Sequence, residues 1–218
     1  MNNRSKGITG GDPGDRGQKS IWPWGNRWVG AAVLLICAGC GGSDVARQAQ
    51  LLADADHDVR YQAVKALEKQ GPAAAEAVPA LATALADSDP HVRYRSAKVL
   101  SKIGYEAAAA ADALAHALDK SLQGPAAGSP VQEAEKTRYY LVKTLSNLDD
   151  QALPALAGLI RTLQQDTDPN TRYYAVKALG KIGAAAKTAR PALEKLRKDP
   201  DQKVRRAAGQ ALAKIHTP

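Results

Sequence analysis

Tyrosine and lysine recur together along this chain at fixed steps. Counted from Arg60, Arg93, Arg138, Arg172 and Arg205, the residues one, five and nine places on are Tyr61/Lys65/Lys69, Tyr94/Lys98/Lys102, Tyr139/Lys143/Asn147, Tyr173/Lys177/Lys181 and Arg206/Gln210/Lys214. Steps of four stay on one face of a helix, so a single surface should carry columns of rings and ammonium groups. The chemistry is noncovalent recognition: Lys attracts anions over a distance, and Tyr offers rigid amphipathic area at low entropic cost. The candidate partner-binding face is Tyr61, Lys65, Tyr94, Lys98, Tyr139, Lys143, Tyr173, Lys177 and Lys181, with Arg95, Tyr140 and Tyr174 at its edge. The plainer alternative is a solvated lysine face copied by duplication. Reversing Lys98, Lys143 and Lys177 to Glu should abolish partner capture and leave the helices folded, because substitutions on an exposed face change stability little.

Other reactive residue types do not assemble into a site. The run DADHD at 54–58 opens like a calcium loop, but such a loop needs Gly at its sixth place and Glu at its twelfth, and the chain has Val59 and Lys65 there. His57 and His91 hold nearby turn positions in successive units and could approach one another, yet a solvated turn histidine is the ordinary case. No Ser/His/Asp set suggests itself, and no glycine-rich phosphate loop follows a strand. The expectation is a non-enzymatic protein with no catalytic residues, no metal ligands, no cofactor and no small-molecule substrate.

The two cysteines, Cys37 and Cys40, stand near the start, which excludes a disulfide framework or cysteine metal site in the remainder of the sequence. Residues 1 to 27 are polar and Gly-rich, without periodicity, and read as disordered. Arg27 then precedes the apolar run WVGAAVLLICAG, Trp28 to Gly39. That run is short of the roughly 20 residues a membrane span needs and fits the apolar core of a secretory signal. Residues 1–39 are therefore a leader plus signal, and 40–218 the folded domain. Removing the leader lowers the formal charge from +8 to about +5, so the body is itself basic.

The elements that must position the Tyr/Lys columns follow from composition and repetition. Phe is absent, and Ala and Leu dominate the apolar residues after Ser43; both are strong helix formers. The phrase DTDPNTRYYAVKALGKIG, Asp166 to Gly183, returns as DADHDVRYQAVKALEKQG, DSDPHVRYRSAKVLSKIG and DPDQKVRRAAGQALAKIH. The five aligned arginines are spaced by 33, 45, 34 and 33 residues, the period of a solenoid of helix pairs. The long interval holds SLQGPAAGSPVQ, an inserted loop at 121–132. Each unit reads as two helices: one after the arginine, stopped by Gly, and a second kinked at Pro79, Pro154 or Pro191. In four copies an Asp lies six residues before the Arg and could bridge to it within a unit or to the next one. The third copy has Gln132 at that place, so the link should be missing beside the insertion. Val59, Val92 and Val204 should pack inward.

The paired helices, the recurring Pro, and the D-x-D-x-x-V-R turn followed by A-x-x-A-L-x-x-I-G resemble HEAT repeats, in particular the short bacterial repeats of phycobilin lyases. The resemblance covers about residues 43 to 216 in five units. It implies an all-α right-handed superhelix in which the helix after the Val-Arg turn lines the concave side. The run CAGC followed by GGSD resembles a bacterial lipoprotein signal, with Ala38 and Gly39 as the small pair and Cys40 the acylated residue; Cys37 departs from that pattern. This implies a lipoprotein anchored to the cell envelope through its N-terminal lipid, facing the periplasm or exterior. The expected function is a membrane-tethered protein-interaction scaffold holding an acidic protein segment in the Tyr/Lys groove. The alternatives are a nucleic-acid-binding HEAT-like protein, suggested by the basic charge and opposed by a signal peptide and by a Trp-free body, and a phycobilin-lyase-like chaperone or enzyme, for which the body shows no bilin pocket.

Overall fold

The Asp-x-Asp turns set the helix starts. In a computed structural model that describes residues 43–124 and 131–216, the second Asp of each turn is an N-cap: Asp56, Asp89 and Asp168 accept hydrogen bonds from the first free backbone N–H groups of the helices that follow. The first Asp closes the turn itself, as Asp87 Oδ1 accepts from Asp89 N at 2.8 Å and Asp199 Oδ1 from Asp201 N at 2.8 Å. Proline at the first helical position, Pro90 and Pro169, supplies a preset φ where no N–H is needed.

The helices run α1 (Asp44–Leu51), α2 (His57–Gln70), α3 (Val78–Ala84), α4 (Pro90–Ile103), α5 (Ala111–Leu122), α6 (Val131–Leu145), α7 (Leu156–Gln165), α8 (Pro169–Ile182), α9 (Arg190–Leu196) and α10 (Gln202–His216). They pair as α1/α2, α3/α4, α5/α6, α7/α8 and α9/α10, five repeats. The even helices pack in sequence against one another, and so do the odd ones, which gives two layers. No strand occurs among the described residues. The core between the layers is Ala, Leu and Val: Leu67, Leu81, Leu100, Leu114, Leu145, Leu159, Leu179 and Leu193 are all fully buried. A unit of this kind cannot cover its own apolar face and is stable only in a stack. Val92 and Val204 are buried as expected, and Val59 is half-buried.

Two expectations about the odd layer change. Four of the connections are 3₁₀ segments of seven residues: Gly71–Ala77, Gly104–Ala110, Asp149–Ala155 and Gly183–Ala189. A 3₁₀ helix has three residues per turn, so positions three apart share a face. The buried pairs Ala74/Ala77, Ala107/Ala110, Ala152/Ala155 and Ala186/Ala189 follow that period. The prolines do not kink helix interiors. Pro79 and Pro191 sit in the first turn of α3 and α9, and Pro154 lies within a 3₁₀ segment. The repeat containing α5 has the same 3₁₀ segment without proline, so the segment does not depend on Pro.

Gly71, Gly104 and Gly183 end their helices with φ of 59°, 80° and 68°, where glycine avoids the Cβ penalty. The third repeat places Asp149 there, at φ 51°. The inserted segment is narrower than its sequence suggests, because α5 runs to Leu122 and α6 begins at Val131; residues 125–130 lie outside the described part. So do the leader, the apolar run and Cys40. Among the described residues no helix is long and apolar enough to cross a membrane.

Candidate functional site

The repeats are joined edge to edge by arginine. Arg60 donates from Nε to Asp87 Oδ2 at 2.7 Å and from Nη2 to Asp87 Oδ1 at 2.9 Å. Its Nη1 donates to the carbonyls of Asp54 and Ala55 in its own turn. Arg172 repeats the arrangement with Asp199 at 2.9 Å for both bonds, and with its own Asp166 and Thr167 carbonyls. Arg138 reaches Asp166. The carboxylate that pairs with each Arg therefore belongs to the next repeat; its own turn contributes only backbone. These pairs are nearly dry, with Arg172 and Asp199 side chains 12% and 4% exposed, and a bidentate guanidinium–carboxylate contact fixes register as well as energy. Burial would raise the Asp87 and Asp199 pKa, but Arg60 and Arg172 outweigh it and hold both below the ordinary carboxylate range. Gln132 offers no carboxylate at the third turn; Arg138 there donates from Nη1 to the Ser121 carbonyl and keeps its pair with Asp166 of the next repeat.

This ladder sets the rotation of each even helix and so lines up the Tyr/Lys columns. The tyrosines form one continuous edge-to-face series. Tyr94 meets Tyr140 (ring centroids 5.6 Å apart), Tyr140 meets Tyr139 (5.0 Å), Tyr139 meets Tyr174 (5.6 Å) and Tyr174 meets Tyr173 (5.2 Å). Edge-to-face is the preferred geometry of such rings. Tyr140 and Tyr174, expected only at the edge, are the links between helices. Lys143 Nζ lies 5.7–5.9 Å from the rings of Tyr139, Tyr140 and Tyr174, and Lys177 lies 5.9 Å from Tyr174, within cation–π reach. Burial, with Tyr174 as neighbour, pushes the Tyr139 hydroxyl up to about 12; burial and Tyr94 raise Tyr140.

The first two repeats behave differently. Glu68 on α2 faces α4 and holds Arg95 at 2.5 Å, Lys98 at 2.8 Å and Lys102 at 3.5 Å. Burial alone would raise its pKa, but Lys98 and Arg95 bring it below the ordinary range. Arg95 also donates to the Tyr61 hydroxyl at 2.9 Å. Lys98 is thus part of an internal cluster and is not a free surface charge, so its reversal is not neutral to the fold. Lys181 is paired as well, with Asp149 at 2.7 Å. The structure brings Tyr94, Tyr139, Lys143, Tyr173 and Lys177 together and leaves Tyr61 and Lys65 apart on the first repeat. Glu68 escaped the sequence reading although a signal existed. It stands eight places after its Arg, where the other repeats carry Ser101, Ser146, Gly180 and Ala213; a long acid among small residues marks a special contact.

An open hollow of about 400 Å³ adjoins the ring series, lined by Tyr139, Tyr173, Tyr174, Lys203, Arg206 and Gln210. Among the described residues Lys143, Lys177, Lys203 and Arg206 have no carboxylate in ion-pair contact. A second hollow of about 560 Å³, beside Tyr94, Tyr139 and Tyr140, mixes Lys136 with Glu135 and Asp168. The arrangement can bind an anionic, partly apolar ligand.

His57 and His91 do not meet. His57 lies between Asp56 and Asp58, and His91 contacts Glu133 at 2.6 Å and the Tyr61 ring. The Asp56, His57, Asp58 group is close-set but exposed, and Asp56 is already engaged as the N-cap of α2.

No curated protein matches the chain. Solved structures share its fold at low identity. An engineered protein superposes with a TM-score of 0.61 at 23% identity, over 78% of each chain. A designed armadillo repeat protein in complex with the peptide (KR)4 gives 0.60 at 23%, over 77% of this chain and 80% of that one. A phycocyanin lyase complex from Nostoc sp. gives 0.57 at 24%, over 82% of this chain and 67% of that one. The family model for HEAT repeats matches residues 46–125 and 131–213. With five stacked helix pairs and that match over most of its length, the chain belongs to the HEAT-repeat family.

Proposed function

We propose that this protein is a non-enzymatic interaction scaffold that holds an acidic protein segment across its third to fifth repeats, and that Cys40 carries a lipid tethering it to the cell envelope. The observation that carries the binding reading is the hollow beside Tyr139, Tyr173 and Tyr174, lined by Lys203 and Arg206, with Lys143 and Lys177 over the adjoining rings; none of the four has a carboxylate partner among the described residues. Unpaired cations over a rigid aromatic strip are complementary to a chain of carboxylates with apolar spacers. Electrostatic complementarity of this kind steers encounter and selects partners by sign. The segment lies away from the first two repeats, where Glu68 already engages Arg95, Lys98 and Lys102. The tether rests on the sequence CAGC after an apolar run, and two or more acyl chains give stable anchoring.

The test is a fluorescence anisotropy titration of the full chain with a labelled acidic peptide and with its lysine counterpart of equal length. The acidic peptide should bind and the basic one should not. Lys143→Glu/Lys177→Glu should weaken the acidic complex by at least ~10-fold. Equal binding of both peptides, or an unchanged affinity in the double variant, would refute the assignment. For the tether, the full-length protein should partition with membranes in its source cell and Cys40→Ser should not; co-fractionation of both would remove Cys40 from the anchor.

A further inference from the structure

Among the described residues the arginine ladder is unmatched at its first Asp and its last Arg. Inside the stack each Arg uses Nη1 on its own turn, and Arg60 and Arg172 use Nε and Nη2 on the Asp of the next repeat. Arg205, in the last described repeat, makes the first set only: Nη1 donates to the carbonyls of Asp199 and Pro200. Its Nε and Nη2 meet no carboxylate among the described residues. At the other end Asp54 accepts from Asp56 N at 2.8 Å, the turn contact that Asp87, Asp166 and Asp199 also make. Those three additionally receive an Arg from the preceding repeat; Asp54 receives none among the described residues.

The charge follows the same direction. Residues 43–171 hold 13 Lys/Arg against 17 Asp/Glu, and residues 172–216 hold 12 against 3. The first turn exposes Asp56 and Asp58 beside Asp54, so the acidic end presents the same kind of group that the basic end lacks. The outer face of α10 is also less covered than its counterpart on α8. Gly209 is exposed and Leu212 half-buried on α10, whereas their counterparts on α8, Val176 and Leu179, are fully buried.

We propose that a second copy of this chain docks head to tail on the last repeat, with Arg205 of one copy gripping Asp54 of the next in the bidentate contact that joins repeats within the chain. The contact is heterologous, so both ends of a dimer stay active and growth does not stop at two. An interface one helix pair wide falls in the transient class, with self-association on the order of 10–100 μM.

Sedimentation velocity on the full chain tests this across concentration and salt. The weight-average mass should rise continuously above ~10 μM without a plateau at dimer, and fall back as salt screens the end charges. Arg205→Glu and Asp54→Asn should each weaken assembly by at least ~10-fold, and the charge swap Asp54→Arg/Arg205→Asp should restore it. Circular dichroism on each variant separates loss of docking from loss of fold, and the wild-type salt series stands without any variant. A monomer up to ~1 mM at low salt, or assembly indifferent to both single variants and to salt, would overturn the proposal; the latter would place the contact elsewhere, the N-terminal segment included.

Discussion

Lys98 and Lys177 occupy the same place in their repeats, yet Lys98 meets Glu68 at 2.8 Å and Lys177 meets only the Tyr174 ring. Lys98→Glu puts like charges together in a half-buried cluster and should cost about 1–3 kcal/mol in urea unfolding, while Lys177→Glu should stay within about 0.5 kcal/mol. Equal costs would mean that the Glu68 cluster does not form. The period of the lysines was legible in the sequence; their different surroundings were not, because the partner that distinguishes them lies one repeat away. Acid should expose the same carboxylates. Glu68, Asp87 and Asp199 have folded pKa values below their unfolded ones. Their stabilisation is therefore complete above the unfolded values near 4 and is lost as pH falls through the folded values. The melting temperature should drop below about pH 4, and less steeply in Glu68→Gln. At the alkaline end Tyr139 should ionise near 12, after ordinary tyrosines, and Tyr139→Phe should delete that last step from the tyrosinate absorbance curve.

Between elements, the joint is the Arg–Asp ladder. Asp199→Ala leaves a nearly buried Arg172 unpaired and should cost about 3 kcal/mol, far more than loss of an exposed pair such as Arg197–Glu194. An equal, small loss for both would show that apolar packing alone holds the repeats in register. Gly104→Ala, at φ 80°, should cost about 1 kcal/mol through backbone strain. The six-residue Asp-to-Arg spacing was visible in the sequence, but it suggested pairing within a turn as readily as between turns. Geometry decides for the next repeat, because Nη1 is already taken by its own turn carbonyls and Nε and Nη2 face the next Asp. The 3₁₀ segments were hidden for another reason: alanine suits both helix types, and only the buried pairs three apart, such as Ala74/Ala77, separate them.

Across the described body, repetition made the two-layer stack readable from the sequence, since five copies of one phrase leave few other ways to bury Ala and Leu. The site was only half readable. A surface of Tyr and Lys was evident, while its division into a first part whose cations are engaged by Glu68 and a later part whose cations are not depends on Glu68 and on the charge gradient toward the last repeats. That division is the central claim, and hydrogen exchange tests it directly. The full chain would be labelled with and without a saturating acidic peptide. Slowed amide exchange confined to α6, α8 and α10, with α2 unchanged, is the predicted result. Protection on the odd-numbered helices, or equal protection of α2 and α8, would contradict it.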